Sequence, residues 1–367
     1  MRFLLTAQGW PYLLTPFIPL AVVLEIVGTP AGAIFVIAAL GIIPTAALMG
    51  LATEELAARS GPGIGGLLNV TFGNAPELII ALFALGAGLH EVVKASIVGS
   101  IIGNVLLVLG ASMLVGGLGR KRQTFSVTAA SAQATMLFLA AGALLMPAIF
   151  ELVEGQGLPA PGSELIEYDS TVEHLSLAVA IVLAGTYVAG LFFSLRTHRD
   201  LFNPPYAQEE EEGYGWSVRR SVLMLFIAGL AVGGMSEILV GSISEASESI
   251  GLSEFFIGVI VVAIVGNAAE HWVAILVAYK DKMDLAVNIA IGSSAQIALF
   301  VAPVLVVASY FIGPEPLALV FNGFELGGIL IAILIANTVT RDGESNWFEG
   351  VQLMALYAIL GIAFFYA

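Results

Sequence analysis

The chain is 367 residues long, 58% hydrophobic and only 11% charged, with a mean hydropathy of +0.96. Soluble domains carry about 25% charged residues, so a water-soluble globular domain is excluded and a polytopic membrane protein is indicated. The net charge of −15 argues against a nucleic-acid partner and agrees with traffic in cations, while the lack of cysteine excludes disulfides and thiolate metal sites.

A spanning helix needs about 20 mostly apolar residues. On that measure eleven spans are predicted in chain order, at 10–28, 30–52, 63–89, 92–118, 126–150, 172–196, 218–242, 255–280, 284–312, 316–340 and 346–366. The segment from Met1 to Gly28 reads as a retained first span rather than a cleaved signal. Arg2 is its one positive residue, Trp10-Pro11 interrupts the apolar run, and no small-residue cleavage site follows. The predicted architecture is an all-α membrane protein of eleven transmembrane helices, with an acidic linker between its halves.

The basic residues set an expected orientation. With the N-terminus inside, the inner segments hold Arg2, Arg59, Arg120, Lys121, Arg122, Arg196, Arg199, Arg219, Arg220, Lys280, Lys282 and Arg341, and the outer segments hold only Lys94. That bias obeys the positive-inside rule and places the C-terminus outside. The outer segments are acidic at Glu151, Glu154, Glu164, Glu167, Asp169 and Glu173, and again at Glu245, Glu248 and Glu254. This is either a solvated face or a field that attracts cations.

Inside the third and eighth spans one motif recurs, Gly73-Asn74-Ala75-Pro76-Glu77 and Gly266-Asn267-Ala268-Ala269-Glu270. A shift of 193 residues (266 minus 73) superposes the two without a gap, and in the same register pairs Glu91 with Asp284, Gly99 with Gly292 and Ser100 with Ser293. Five spans separate the two motifs, so their helices run in opposite directions. The chain therefore divides into an extra N-terminal helix at 1–29, a five-helix repeat at 30–198, a linker at 199–217 and a second, inverted five-helix repeat at 218–367. Such repeats bury ions near the midplane, at discontinuous helices. Pro76 removes a backbone hydrogen bond at the motif, and Gly73 and Gly266 allow a bend or a close approach. The Gly99/Gly103 and Gly323/Gly327 pairs read equally well as helix-packing positions.

A carboxylate deep in a span is a functional-site hypothesis by default. The polar residues near the midplane are Asn74, Glu77, Ser100 and Asn104 from the first half, and Asn267, Glu270, His271, Ser293, Ser294 and Gln296 from the second. All but His271 offer oxygen. Hard oxygen donors with two carboxylates suit calcium, which takes six to eight oxygens in a tolerant geometry; magnesium dehydrates reluctantly. Two close carboxylates in a site of low dielectric cannot both stay ionised without a cation. One divalent cation neutralises both, and so do two protons, so competition for Glu77 and Glu270 predicts antiport. His271 has two readings, a group that tunes or shares the proton or a helix-packing hydrogen bond.

The paired motifs, each followed by a Gly-Ser run (Gly99-Ser100-Ile101-Ile102-Gly103-Asn104 and Gly292-Ser293-Ser294-Ala295-Gln296), resemble those of the calcium/cation antiporter superfamily. Within it they are most similar to the calcium/proton exchangers. The resemblance covers essentially the whole chain. It implies calcium bound in alternation with protons by Glu77 and Glu270, with Asn74, Asn267, Ser100, Asn104, Ser293 and Gln296 lining the site and His271 beside it. Sodium/calcium exchangers of the superfamily usually carry Ser or Thr in place of the motif Asn, and add acidic residues that this chain lacks. Asn104 aligns with Ile297 rather than Gln296, so the equivalence of those two side chains is spatial at best.

Three further features bear on function. Glu325, about nine residues into the predicted tenth span and without an obvious basic partner, reads either as part of a proton path or cavity lining, beside Glu77, Glu270 and His271, or as a side chain reaching the outer interface. Gln133 occupies a similar depth in the fifth span. The run Glu209–Glu212 reads as a solubilising charge cluster or as a short acidic helix that senses calcium; it lacks EF-hand spacing. The expected function is a calcium/proton antiporter in a lipid bilayer, with calcium and protons as substrates and no cofactor, at a prokaryotic plasma membrane. Sodium- or potassium-coupled calcium exchange is the alternative, and a passive channel a lesser one. An intramembrane enzyme is not expected, because no catalytic constellation emerges.

Overall fold

The computed structural model describes residues 9–155, 157–162, 168–197 and 215–367. Arg2, Arg199, Glu164, Glu167 and the Glu209–Glu212 run lie outside the described residues. The helices in chain order are α1 (Trp10–Val27), α2 (Ala31–Arg59), α3 (Gly61–Gly73), α4 (Ala75–Gly86), α5 (His90–Gly117), α6 (Val127–Glu154), α7 (Ser170–Thr197), α8 (Val218–Gly241), α9 (Ile243–Ile250), α10 (Glu254–Tyr279), α11 (Met283–Ser309), α12 (Gly323–Val339) and α13 (Trp347–Phe365). Among the described residues nine helices are long and apolar enough to cross a bilayer, ten if the bent pair α3–α4 counts as one. α12 is apolar but shorter, at 17 residues.

Burial separates the helices into an inner pair and a lipid-facing rim. Of the apolar window of α5, 83% is buried, and of α11, 78%, against 11% for α1 and 17% for α13. α5 crosses α10 at a point where only glycine fits. A Cβ on Gly99 would collide with the Val259 carbonyl, and one on Gly258 would lie 2.8 Å from Ala95 Cβ. The packing reading thus holds at Gly99, whereas a Cβ on Gly103, Gly323 or Gly327 would meet nothing within 4 Å.

Two predicted spans differ, the third and the tenth. The third span is not one straight helix: α3 and α4 meet at 41° around Asn74, whose φ of −94° and ψ of 19° leave the helical region. Pro76 in the first turn of α4 explains the break, since it has no N–H to continue the ladder. The second motif has Ala269 at that place, and α10 runs through it unbroken, with a wide π-helical turn upstream at Ile257–Val262. The tenth span is not helical over 316–340. Its first third is irregular, non-helical backbone, and Leu317, Leu319, Val320 and Phe321 are nonetheless buried. Side chains satisfy that backbone: Leu317 N donates to Ser309 Oγ (2.7 Å) and Leu319 N to Ser176 Oγ (3.0 Å). Irregular backbone at membrane depth is tolerated where the protein itself supplies such partners. Two short strands add to the helices, Gln123–Thr124 (β1) pairing antiparallel with Glu344–Ser345 (β2), and Arg122 bonds Glu344 beside them at 2.7 Å.

Capping residues mark several helix starts. Asp169 accepts from Thr171 N (2.8 Å) at the start of α7, and that N–H holds its exposed carboxyl below the usual carboxylate range. Asn322 caps α12 with a capping box: its Oδ1 accepts from Phe324 N and Glu325 N, while Glu325 Oε2 accepts from Asn322 N at 2.7 Å. Glu325 therefore lies in the first turn of its helix, not nine residues into a span.

Candidate ion-binding site

The break at Asn74 and the continuous helix α10 bring the two motifs against each other. A Cβ on Gly73 would lie 3.1 Å from Glu270 Oε1, and one on Gly266 would lie 3.3 Å from Glu77 Cγ. Each motif glycine thus makes room for the other motif's glutamate. The motif asparagines cross in the same way. Ser293 Oγ on α11 donates to Asn74 Oδ1 (2.8 Å), and Asn267 Nδ2 donates to Ser100 Oγ on α5 (3.1 Å). Asn74 Nδ2 also donates to Gln296 Oε1 (2.8 Å), and Ser293 Oγ reaches Glu270 Oε2 at 3.3 Å.

All eight sequence-predicted ligand positions fall on these four elements. Asn104, in a π-helical turn of α5 (Gly103–Val108), approaches His271 Nε2 through its Oδ1 at 3.0 Å. π-turns are rare and cluster at functional sites; α11 has two more, at Asn288–Gly292 and Ile297–Val301, on either side of Ser293 and Gln296. Ser294, also considered from the sequence, donates to Ala290 O (2.9 Å) in its own helix and to Ile101 O (3.4 Å) on α5.

Acceptor oxygens are left over at the centre. Both carboxylate oxygens of Glu77 and the Oδ1 of Asn267 are shielded from solvent, with no hydrogen-bond partner among the described residues. Buried polar atoms in folded proteins are nearly always paired; these three are acceptors, which is what a cation needs, while the Asn104 Nδ2 donor is also unpartnered among the described residues. A crevice lined by Glu77, Ala81, Ser96, Ser100, Val262 and Ile297 reaches this point. Among the described residues no three His, Cys, Asp or Glu side chains are grouped to hold a metal, so two carboxylates and neutral oxygens are the donor set on offer.

The sequence reading missed Ser96. It stands four residues before Ser100 and eight before Asn104, which places all three on one face of α5. That spacing was the available signal. It also missed Glu54 on α2, an exposed carboxylate within electrostatic reach of Glu270. Glu325 is not part of this constellation, and it does have a basic neighbour: Lys94 on α5 is within its electrostatic reach. Lys94 lies on a different predicted span, which is why no local pattern disclosed it. Gln133 Nε2 on α6 donates to Asn288 Oδ1 on α11.

Comparison with known proteins places this arrangement. The sodium/calcium exchanger protein family matches residues 31–196 and 220–366. The chain is 45% identical over 370 residues to a Ca(2+)/H(+) antiporter of Synechocystis sp., covering 95% of each chain. It is 45% identical over 366 residues to the Ca(2+)/H(+) antiporter ChaA of Bacillus subtilis, covering 99% of this chain and 98% of that one. The fold superposes on the structure of native YfkE with a TM-score of 0.82 at 40% identity, covering 97% of this chain and all of the other. It also superposes on the H+/Ca2+ exchanger CAX with a TM-score of 0.72 at 14% identity, over 98% of this chain and 92% of that one, a likeness of fold alone. Two matched segments spanning most of the chain, with relatives of this identity over nearly their whole length, leave one assignment: the chain belongs to the sodium/calcium exchanger protein family.

Proposed function

We propose that this protein is a secondary antiporter that exchanges calcium for protons, with Glu77 and Glu270 as the groups for which the two ions compete. The observation that carries the reading is the set of orphaned acceptors, Glu77 Oε1 and Oε2 and Asn267 Oδ1, at the crossing of the two motifs. Calcium bound there is held by the two carboxylates, with neutral oxygen from Asn267, Ser100, Asn74, Ser293, Gln296 and Asn104 at or next to the site. When calcium leaves, protons neutralise the carboxylates. Mutual exclusion at one site couples the two fluxes. The relatives named for calcium/proton antiport support the choice of ions.

The reading extends to topology. α3 with α4 makes one broken span and α12 a short one, giving eleven with the N-terminus cytoplasmic and the C-terminus outside. Spans two to six and seven to eleven are inverted repeats. The reciprocal Gly–Glu and Asn–Ser contacts between the halves support that arrangement. The bacterial relatives support a plasma-membrane location.

His271 is read as a packing hydrogen bond to Asn104, since it is buried and that bond satisfies Nε2. Glu325 is read as the capping-box residue of α12 rather than as a member of the proton path.

The test is calcium uptake by proteoliposomes under an imposed pH gradient, in buffer free of sodium and potassium. Gradient-driven uptake that is lost in Glu77→Gln and Glu270→Gln is expected. Uptake that requires sodium or potassium would move the coupling ion and leave the site in place.

A further inference from the structure

The crevice at Glu77 is bounded by α4, α5, α10 and α11, and among the side chains that line it only Glu77, Ser96 and Ser100 are polar; the others are Ala, Ile and Val. Glu270 does not line it, and its Oε2 is instead approached by Ser293. Ser96 stands one turn of α5 before Ser100, about 6 Å along the axis. Asn104, one turn to the other side of Ser100, does not line the crevice. The crevice therefore runs from Glu77 toward the His90 end of α5, on one side of the motif crossing.

The Ser96 hydroxyl has a fixed role in its own helix. Oγ donates to Val93 O at 2.8 Å. A hydroxyl has one proton and two lone pairs, so with the proton committed to the backbone the oxygen is left as an acceptor. Ser96 is 9% exposed, and Ser100 Oγ already accepts from Asn267 Nδ2. A cation between apolar walls sheds water at high cost unless protein oxygen replaces it. Short of the Glu77 carboxylate itself, Ser96 and Ser100 are the side-chain oxygens the crevice offers. The second half has no match at this depth: in the 193-residue register Ser96 falls on Ile289.

We propose that Ser96 is a further calcium-contacting residue, whose Oγ holds the ion together with Ser100 as it moves along the crevice to and from Glu77. The two motif glutamates are then unequal, with the crevice serving Glu77 and not Glu270. The inference rests on the reading that Glu77 binds calcium.

The experiment uses the full chain in proteoliposomes. Ser96→Ala removes the oxygen and is expected to raise the KM for calcium about fivefold, with the melting temperature in detergent unchanged. Ser96→Thr keeps the hydroxyl and is expected to restore the parent KM. A serine that only packs would give the reverse for Ser96→Ala, a lower melting temperature at the parent KM, and that result would overturn the proposal. Because the chain has no cysteine, Ser96→Cys supplies a single thiol and decides the question even if Ser96→Ala or Ser96→Thr fails to fold. A small hydrophilic thiol reagent is expected to label it, and calcium to slow that labelling about fivefold or more. No labelling, or labelling indifferent to calcium, would sink the contact. Adding Glu77→Gln separates the two readings. Labelling that continues while calcium protection disappears supports both. Uptake that survives Glu77→Gln ends the reading of Glu77, whereas protection that persists there leaves the Ser96 contact standing.

Discussion

Asn74 and Asn267 occupy the same motif position yet are used differently. Asn74 has both ends of its amide engaged by α11, through Gln296 and Ser293. Asn267 donates to Ser100 and to Ala263 O (2.9 Å) and keeps its Oδ1 free of hydrogen bonds among the described residues. With the two Glu77 oxygens this gives hard acceptors suited to calcium. His271 tests how far proton coupling spreads beyond the glutamates. Glutamine can still donate to Asn104 but cannot titrate. His271→Gln is expected to keep the pH profile of uptake, while His271→Ala loses about fivefold through a buried bond worth about 1 kcal/mol. A displaced profile in His271→Gln would return the imidazole to the proton path. The motif residues and their oxygen chemistry were legible from sequence, because two matched carboxylates inside apolar runs have no cheap explanation. Which asparagine keeps an unpaired oxygen was not, since that depends on contacts more than 160 residues apart.

At the scale of elements, the break between α3 and α4 and the continuity of α10 follow from one difference, Pro76 against Ala269. The proline marks the broken helix in the sequence, but not the size of its bend, which is 41°. The α5–α10 crossing is the tightest test of packing. Because a Cβ on Gly99 collides with backbone, the Val259 carbonyl, relief requires the helices to part. Gly99→Ala is expected to destabilise the protein by about 1–3 kcal/mol, the cost of overpacking a dense core, read as a lower melting temperature in detergent. An unchanged melting temperature would mean that the crossing is looser than this geometry. The tenth element shows where apolarity misleads. Leu317–Phe321 is hydrophobic enough to extend a span, yet it folds as buried irregular chain, with Ser309, Ser176 and Lys94 satisfying its backbone.

For the whole molecule, the proposed odd span count and orientation make a direct prediction. The chain has no cysteine, so single-cysteine variants report sidedness without a background. Glu154→Cys and Asp281→Cys are both at exposed positions, at the ends of α6 and just after α10. An impermeant thiol reagent added outside intact cells is expected to label Glu154→Cys, and to reach Asp281→Cys only after permeabilisation. The reverse pattern would invert the protein, and labelling of both from outside would break the eleven-span count. At the end proposed as inner, Arg120 pairs with Asp281 (3.3 Å) and Arg122 with Glu344, so these positive residues also fasten loops.

The sequence by itself determined that the chain lies in a membrane and where most of its helices are, and it singled out Glu77 and Glu270 as the carboxylates of the proposed site. Those conclusions rest on transfer energies and on local pattern, which a linear text carries. Tertiary structure alone decided that each motif glycine seats the other motif's glutamate, that Ser96 joins Ser100 at the crevice, and that Glu325 is buried in the capping box of α12 rather than reaching an interface. These depend on how helices far apart in the chain pack. Their cost or benefit exists only once packing has removed water and left each buried charge with the partner the fold provides.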